Sequence, residues 1–233
     1  MLVLALETSH EPGTIALLQD GICLEETRLS STKRRGQTLV SELKQLFLRH
    51  NFSPRQTDLL AVGIGPGSFT GLRVGIVAAK TIAYICQAPV AAVPTLQTIV
   101  NNVPAEISQA TVAVDAQRTE LFLQTFHRTS DSLWEPLSEI RILPFDHWLE
   151  MLSTDDVVLG PGLQPFQQQL TGRCRLLDES TWLPRASILA RAALDPRFQV
   201  AHWDVLPLYV RVSAAEETWN RRQNSSPDSA NST

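Results

Sequence analysis

The chain has 233 residues, of which 43% are apolar, 19% charged and 6% aromatic, and its formal net charge is -4. This composition is that of an ordinary globular protein and excludes a collagenous or largely disordered chain. The negative net charge argues against unaided binding of nucleic acid, which needs a basic surface. The three cysteines are far apart and include no C-x-x-C pair, which argues against a disulfide framework or a zinc knuckle.

The first elements predict a three-stranded meander followed by a helix. Residues 2–6 are a continuous apolar run, typical of a buried strand. A second strand at Thr14–Gln19 leads into Asp20-Gly21, a two-residue hairpin signal, and a third strand follows at Ile22–Leu29. Apolar residues at helical spacing then predict an amphipathic helix at about 38–50.

A glycine-rich loop joins a buried strand at Leu59–Ile64 to a long helix at about 68–87. Five of the chain's 11 glycines fall in and just after this loop. Glycine permits sharp turns and close approach of a ligand or another backbone. Ser68 or Thr70 can cap the helix start, and the N–H groups there suit an anion.

The remaining chain repeats the pattern of strands followed by alternating helices and strands. Strands are predicted at Val90–Pro94, Thr111–Asp115, Glu120–Phe126, Leu137–Leu143, Val157–Leu159, Arg175–Leu177 and Pro207–Arg211. Helices are predicted from the N-cap Thr95 to about Asn102, and near Asp146–Leu152, Gly162–Leu170 and Arg185–Leu194. The fold class is therefore α/β, with mixed β-sheets covered by helices. Two similar halves indicate a duplicated fold.

The predicted domain organisation has two subdomains and a tail. The first subdomain covers residues 1–103 and carries the glycine-rich loop. The second covers residues 104–219 and begins after Val103-Pro104. Residues 220–233 are polar and rich in Ser and Asn, and are predicted to be disordered.

The glycine-rich loop has two interpretations. It lacks the Lys of a P-loop, and its G-x-G-x-x-x-G spacing is one residue too long for a dinucleotide fingerprint. The phosphate or nucleotide interpretation uses Thr8, Ser9, Gly65, Gly67 and Ser68. The packing interpretation uses a stripe of small residues that recurs every four positions and would let another helix approach closely. The stripe consists of Gly71, Gly75, Ala79 and Ala83.

Five segments resemble one family in the same order along the chain. Residues 65–75, G-P-G-S-F-T-G-L-R-V-G, look like the signature of the TsaB (YeaZ) family. Weaker resemblances are residues 4–9 (L-A-L-E-T-S), 114–118 (V-D-A-Q-R), 160–162 (G-P-G) and 208–211 (L-Y-V-R). The resemblance covers about residues 1–212.

Three positions depart from that family's pattern. Glu7 stands where relatives often carry Asp, and Gln117 replaces an Arg. Relatives often have a His before the first helix, where this chain reads Arg34-Arg35-Gly36-Gln37-Thr38.

The resemblance implies a fold of two actin-like subdomains, of the RNase H-like or ASKHA type. It implies a role in adding threonylcarbamoyl to the adenosine beside the anticodon of tRNAs that read codons beginning with A. The catalyst would be a metal-holding paralogue, TsaD, assisted by an ATPase, TsaE. This chain would bind no cofactor by itself, the complex would use ATP and Mg²⁺, and tRNA would be reached only through the complex.

The expected partner surface lies on the helices at about 38–50 and 68–87. Its residues would be Leu43, Leu72 and Arg73 together with the small-residue stripe. Members of the family can also form homodimers through the same surface. The basic segment Arg28–Arg35 could touch RNA or be a solvated loop. No apolar run approaches the roughly 18 residues that span a bilayer, so the chain is expected to be soluble and cytoplasmic.

The sequence predicts no catalytic residues and no metal site. None of the five histidines has another four residues later, so the H-x-x-x-H pair of the catalytic paralogue is missing. Glu7 and Asp115 end the first strand of each half, where an actin-type ATPase would hold Mg²⁺. The alternative function is therefore an active ATPase or phosphotransferase of this fold, or a peptidase, as the broader family was once labelled.

Overall fold

The structure is a computed structural model that describes residues 1–30 and 35–211. It contains two mixed sheets with helices packed on them. The predicted tail at 220–233 and residues 31–34 of the basic segment lie outside the described residues.

The first sheet is the predicted meander extended by parallel strands. Its strands in chain order are β1 (Leu2–Glu7), β2 (Thr14–Gln19), β3 (Ile22–Arg28), β4 (Leu59–Gly63) and β5 (Val90–Val93). Strands β1, β2 and β3 pair antiparallel, whereas β1, β4 and β5 pair parallel in the order β5-β4-β1-β2-β3. All residues of β1 and β4 are buried, which explains their continuous apolar sequences.

The second sheet repeats this arrangement. Its strands are β6 (Gln109–Asp115), β7 (Glu120–Arg128), β8 (Trp134–Pro136), β9 (Arg141–Pro144), β10 (Val157–Leu159) and β11 (Arg175–Leu176). The order is β11-β10-β6-β7-β8, with β9 also paired to β7. The antiparallel and parallel pairings match those of the first sheet strand for strand. This shared order indicates the duplication that the sequence pattern predicted.

The single strand predicted at Leu137–Leu143 is wrong, because two short strands occupy this region. Strand β8 pairs with the end of β7 and β9 with its beginning. Between them the Ser138 hydroxyl accepts the Thr125 amide at 3.2 Å, so a side chain takes a place in the ladder that a backbone carbonyl would otherwise fill.

In the described part of the chain, six helices cover the sheets. They are α1 (Arg35–Arg49), α2 (Phe69–Cys86), α3 (Thr95–Val100), α4 (Phe145–Met151), α5 (Gln167–Leu170) and α6 (Ala186–Ala192). The helix predicted at Gly162–Leu170 is a 3-10 turn at Pro161–Phe166 followed by the short α5. Thr95 is not a cap, because Pro94 occupies the N-cap position and Thr95 is the first helical residue.

The two halves exchange helices across their interface. Helices α1 and α2 lie on one face of the first sheet, and α6, from the second half, lies on its other face. Helix α3, from the first half, packs its apolar residues into the core of the second sheet. The predicted boundary between residues 103 and 104 stays a prediction, since elements on each side of it pack on the opposite sheet.

The strand predicted at Pro207–Arg211 does not form. Pro207 has no N–H to donate to a ladder. The Leu208 amide makes a single backbone bond to the first half, to the Ile64 carbonyl at 2.8 Å, and no ladder extends from it within the described residues. A strand that the sequence did not indicate, β12 (Gln199–Val200), instead pairs antiparallel with the edge of β5.

Helix α2 is long and apolar enough to cross a bilayer by length and composition, with a mean hydropathy of 1.4. This is weak evidence for a membrane span, because helices that pack in soluble cores pass the same test. Here one face of α2 covers β1 and β4 of the first sheet.

The small-residue stripe of α2 faces the chain's own sheet and not a partner. Gly71, Gly75, Ala79 and Ala83 are all buried, and so is Leu72. The Thr8 hydroxyl donates to the Gly71 carbonyl at 2.8 Å, and a Cβ at residue 75 would overlap that hydroxyl. The predicted role of the stripe in a partner interface is therefore wrong: it brings α2 close to the end of β1.

Replacing Gly75 with Ala tests this close approach. Alanine favours a helix over glycine by about 1 kcal/mol, but the added methyl must displace Thr8 and its hydrogen bond. Overpacking of this kind costs about 1–3 kcal/mol. We expect Gly75→Ala to lower the free energy of unfolding by about 1–2 kcal/mol, measured by urea denaturation.

Val77→Ala is the control, because Val77 lies on the same helix and is 63% exposed. It should change the free energy of unfolding by no more than about 0.5 kcal/mol. A Gly75→Ala variant that is more stable than the wild type would contradict the packing described here.

Candidate functional site

The glycine-rich loop folds against the end of β1. Ser68 caps α2, as predicted, because its hydroxyl accepts the Gly71 amide at 3.3 Å. A Cβ at residue 67 would overlap the Ser9 carbonyl, and Gly65 adopts a φ of 110°, which side chains disfavour. The glycines are therefore needed for the loop's contact with residues 8 and 9.

The five residues of the phosphate interpretation lie together, and several of their polar groups are hydrogen-bonded within the chain. The Ser68 amide donates to the Ser9 carbonyl at 2.7 Å, and the Gly65 carbonyl accepts the Thr95 amide at 2.8 Å. Thr8 and Ser9 are 4% and 3% exposed. An anion that binds the Ser68 amide would have to displace its bond to the Ser9 carbonyl. Direct phosphate contact at this loop stays a prediction.

Glu7 is fully enclosed beside this loop. Its Oε1 accepts the amide and hydroxyl of Ser9 at 2.8 and 2.5 Å, while Oε2 has no hydrogen-bond partner among the described residues. Oε2 lies where a Cβ of Gly63 would be. Burial raises the pKa of Glu7, and the bonds from Ser9 oppose that rise. Burial thus shifts the ionisation equilibrium of Glu7 toward the neutral acid.

Asp115 ends the first strand of the second sheet and is exposed. Its Oδ1 accepts the Gln117 amide at 2.7 Å, which closes a turn at the tip of the β6–β7 hairpin. Three successive residues of this turn, Gln117, Arg118 and Thr119, have φ values of 64°, 56° and 60°. Such left-handed backbone is strained for residues other than glycine, and nothing in the sequence indicated it.

An apolar groove of about 820 Å³ lies between α1 and α2. We call it the α1–α2 groove. Sixteen residues line it, and only Lys44 and Arg73 among them carry a charge. Four apolar side chains at the groove are 52–66% exposed: Val40, Leu48, Val77 and Ile85. An apolar surface of this kind on two adjacent helices is typical of a protein interface.

The predicted interface residues divide between the groove and the core. Arg73 is exposed and lines the groove. Leu43 also lines it, but is 7% exposed. The predicted helices thus carry an apolar surface, while most of the predicted residues face inward.

The exposed apolar residues of the groove were missed. The sequence of α2 did carry a signal for them. A helix that is apolar on both faces is expected to be covered on both, so the face turned away from the sheet could have been predicted to bind another surface.

Among residues 1–30 and 35–211, no group of three or more His, Cys, Asp or Glu side chains could hold a metal ion. Glu7 and Asp115, the two acids at the predicted magnesium positions, differ sharply. Glu7 is enclosed and Asp115 is exposed and bonded to its own turn.

A sequence profile described as tRNA N6-adenosine threonylcarbamoyltransferase, TsaD, matches residues 29–150, which is 122 of the 233 residues. Proteins named tRNA threonylcarbamoyladenosine biosynthesis protein TsaB are similar over most of the chain. The Bacillus subtilis protein is 26% identical over 96% of this chain and 100% of its own length. The Haemophilus influenzae protein is 27% identical over 94% of this chain and 96% of its own length.

The chain belongs to the TsaB (YeaZ) family. Its structure resembles that of YeaZ from Pseudomonas aeruginosa, with a TM-score of 0.72 and 25% identity over 90% of this chain and 99% of that one. Another Pseudomonas aeruginosa structure, of a protein described as similar to the peptidase YeaZ, has a TM-score of 0.75. These matches confirm the predicted α/β fold with two actin-like subdomains.

Replacing Glu7 with Gln tests the burial of this acid. The folded pKa lies above the unfolded value of 4.5, so the carboxyl's contribution to stability is full below that pH and is lost as pH rises through the folded pKa. Gln cannot ionise. We expect Glu7→Gln to match the wild type at pH 4 and to become progressively more stable than it at higher pH, measured by urea denaturation between pH 4 and pH 9.

Glu106→Gln, at an exposed carboxyl, is the matched control and should track the wild type at every pH. If the stability difference between Glu7→Gln and the wild type stays constant over this range, Glu7 ionises in the folded protein as readily as in the unfolded chain.

Proposed function

We propose that this chain is a non-catalytic partner subunit of the complex that adds threonylcarbamoyl to the adenosine beside the anticodon of tRNAs reading codons that begin with A. The observation that carries the proposal is the α1–α2 groove, a large apolar surface beside a loop in which the Ser68 amide already donates to the Ser9 carbonyl. A subunit with this structure contributes a docking surface, and its partner contributes the chemistry.

The partner is a TsaD-like catalytic paralogue. The profile that describes the transferase matches residues 29–150, a range that includes both α1 and α2. A paralogue with the same two helices can present a similar apolar surface, so that two helix pairs pack against each other. A second copy of this chain can use the same surface, which makes a homodimer a competitor of the complex.

The proposed complex has further components besides this chain and the paralogue. A TsaE-like ATPase joins the complex, and ATP and Mg²⁺ are used there. With a net charge of -4, the chain meets tRNA only through the complex, in the cytoplasm.

The alternative, an ATPase or phosphotransferase acting alone, needs two ionised acids in an open cleft. Of the two candidate acids, Asp115 is exposed, whereas Glu7 is enclosed and burial raises its pKa. A peptidase would need a nucleophile next to a base. The cysteines have raised pKa values because of burial, which makes them poor nucleophiles.

Reconstitution of the modification reaction tests the proposal. The chain alone, supplied with ATP, threonine, bicarbonate and a threonylcarbamoyl-adenylate-forming enzyme, should leave tRNA unmodified. Addition of the TsaD-like paralogue and the TsaE-like ATPase should produce threonylcarbamoyladenosine. Ile85→Glu, which places a charge in the groove, should weaken binding to the paralogue by about 10–100-fold and reduce product accordingly, because a buried unpaired charge is costly.

Ile22→Glu is the matched control. Ile22 is 69% exposed and Ile85 is 52% exposed, but Ile22 is not a groove residue. It should bind the paralogue as the wild type does. Modification by the chain without the paralogue would overturn the non-catalytic role, and equal affinity of the two variants would overturn the groove as the docking surface.

A further inference from the structure

Residues 199–211 form a segment that runs from the first sheet to the second and includes a 3-10 turn at His202–Asp204. We call it the C-terminal strap. It begins with β12 on the edge of β5, and Val205, which is 1% exposed, then enters the core beneath α2. The Lys80 ammonium of α2 donates to the carbonyls of Trp203 and Val205 at 3.1 and 3.2 Å. The strap is thereby fixed along one side of α2.

The strap next passes over the glycine-rich loop. The Leu208 amide donates to the Ile64 carbonyl at 2.8 Å. The Leu208 carbonyl lies 3.1 Å from the position that a Cβ of Gly65 would take. Gly65 thus permits the crossing of strap and loop, a contact that no sequence pattern predicted.

Tyr209 and Arg73 connect the strap to the start of α2. The Tyr209 ring lies 5.3 Å from the Phe69 ring, centroid to centroid. The Arg73 guanidinium lies over Phe69, 3.8 Å from the ring centroid, and its Nε donates to the Tyr209 hydroxyl at 3.3 Å. Arg73 also lines the α1–α2 groove. The Arg73 side chain therefore lines the groove and also contacts the strap.

The strap ends on the strained turn of the second sheet. Arg211 donates to the Ala116 carbonyl at 2.6 Å and forms an ion pair with Glu120. Ala116 and Glu120 flank the three left-handed residues, and the Ala116 amide donates to the Glu120 carbonyl at 2.9 Å. Tyr209 and Arg211, two positions apart in the strap, thus link Arg73 to a strained turn on the other sheet.

We propose that Arg73 couples the α1–α2 groove to the 116–120 turn through the C-terminal strap, so that a protein docked on the groove tightens the strap and the turn. The partner chemistry is an acidic side chain at the groove. The terminal nitrogens of the guanidinium can donate to a partner carboxylate while Nε keeps Tyr209. A docked partner also removes water from Arg73, which strengthens its contact with the Phe69 ring. Because coupling between sites is reciprocal, a loosened strap weakens docking.

The link to docking rests on the proposed function, but the role of Arg73 in the strap can be measured in the isolated chain. Amide hydrogen exchange at Leu208 and Ala116 reports on the strap and the turn, since both amides donate to backbone carbonyls. Arg73→Met keeps an unbranched stem and removes the guanidinium. It should speed exchange at both amides by about threefold or more. Tyr209→Phe, which removes only the hydroxyl, should also speed exchange at both amides.

Lys44→Met is the matched control, because Lys44 is the other charged residue of the groove and has no bond to the strap among those described. It should leave exchange at both amides unchanged. If Arg73→Met behaves like Lys44→Met in the isolated chain, Arg73 does not hold the strap and the proposal is overturned.

The second arm adds the TsaD-like paralogue at saturating concentration. Exchange at Ala116 should slow in the wild type and should not slow in Arg73→Met. Equal slowing in both would overturn the coupling even if the strap depends on Arg73. If the paralogue does not bind the wild-type chain, the proposed function and the coupling to docking both fail, while the isolated-chain result still decides whether Arg73 holds the strap.

Discussion

Helix α2 can lie on the end of strand β1 because residue 75 has no side chain. The Thr8 hydroxyl occupies the space that a Cβ would fill, and it bonds to the helix one turn earlier, at Gly71. This contact sets the height of α2 above the first sheet. The loop before α2, the groove beside it and the C-terminal strap all take their positions from the helix.

The same contact explains why the loop has the backbone arrangement of an anion site. Its glycines bring the backbone close to residues 8 and 9, and the Ser68 amide and the Ser9 carbonyl then satisfy each other at 2.7 Å. Glu7 is enclosed in the process, and burial raises its pKa. In this strand–loop–helix framework the polar groups of Thr8, Ser9 and Ser68 therefore join the loop and the helix to the end of β1. The outer side of α2 is exposed to solvent, and most of its side chains there are apolar.

The sequence predicted most of the fold because its signals are local. The hairpin at Asp20-Gly21, the buried strand β4 and the capped helix α2 each depend on residues close in the chain. The small-residue stripe was found correctly but assigned to the wrong neighbour, since spacing shows that something approaches a helix and cannot show what. The strand β12 and the strap contacts of Arg73 and Arg211 join residues more than 90 positions apart, which no local pattern encodes.

The central claim is that this chain acts by docking through the α1–α2 groove, and hydroxyl-radical footprinting with the TsaD-like paralogue tests it directly. The account predicts that oxidation of Leu48 and Ile85, which are 58% and 52% exposed in the free chain, falls strongly in the complex. Oxidation of Ile22 and Leu137, which are 69% and 53% exposed and lie outside the groove, should not change. Protection of Ile22 or Leu137 with Leu48 and Ile85 still oxidised would contradict it.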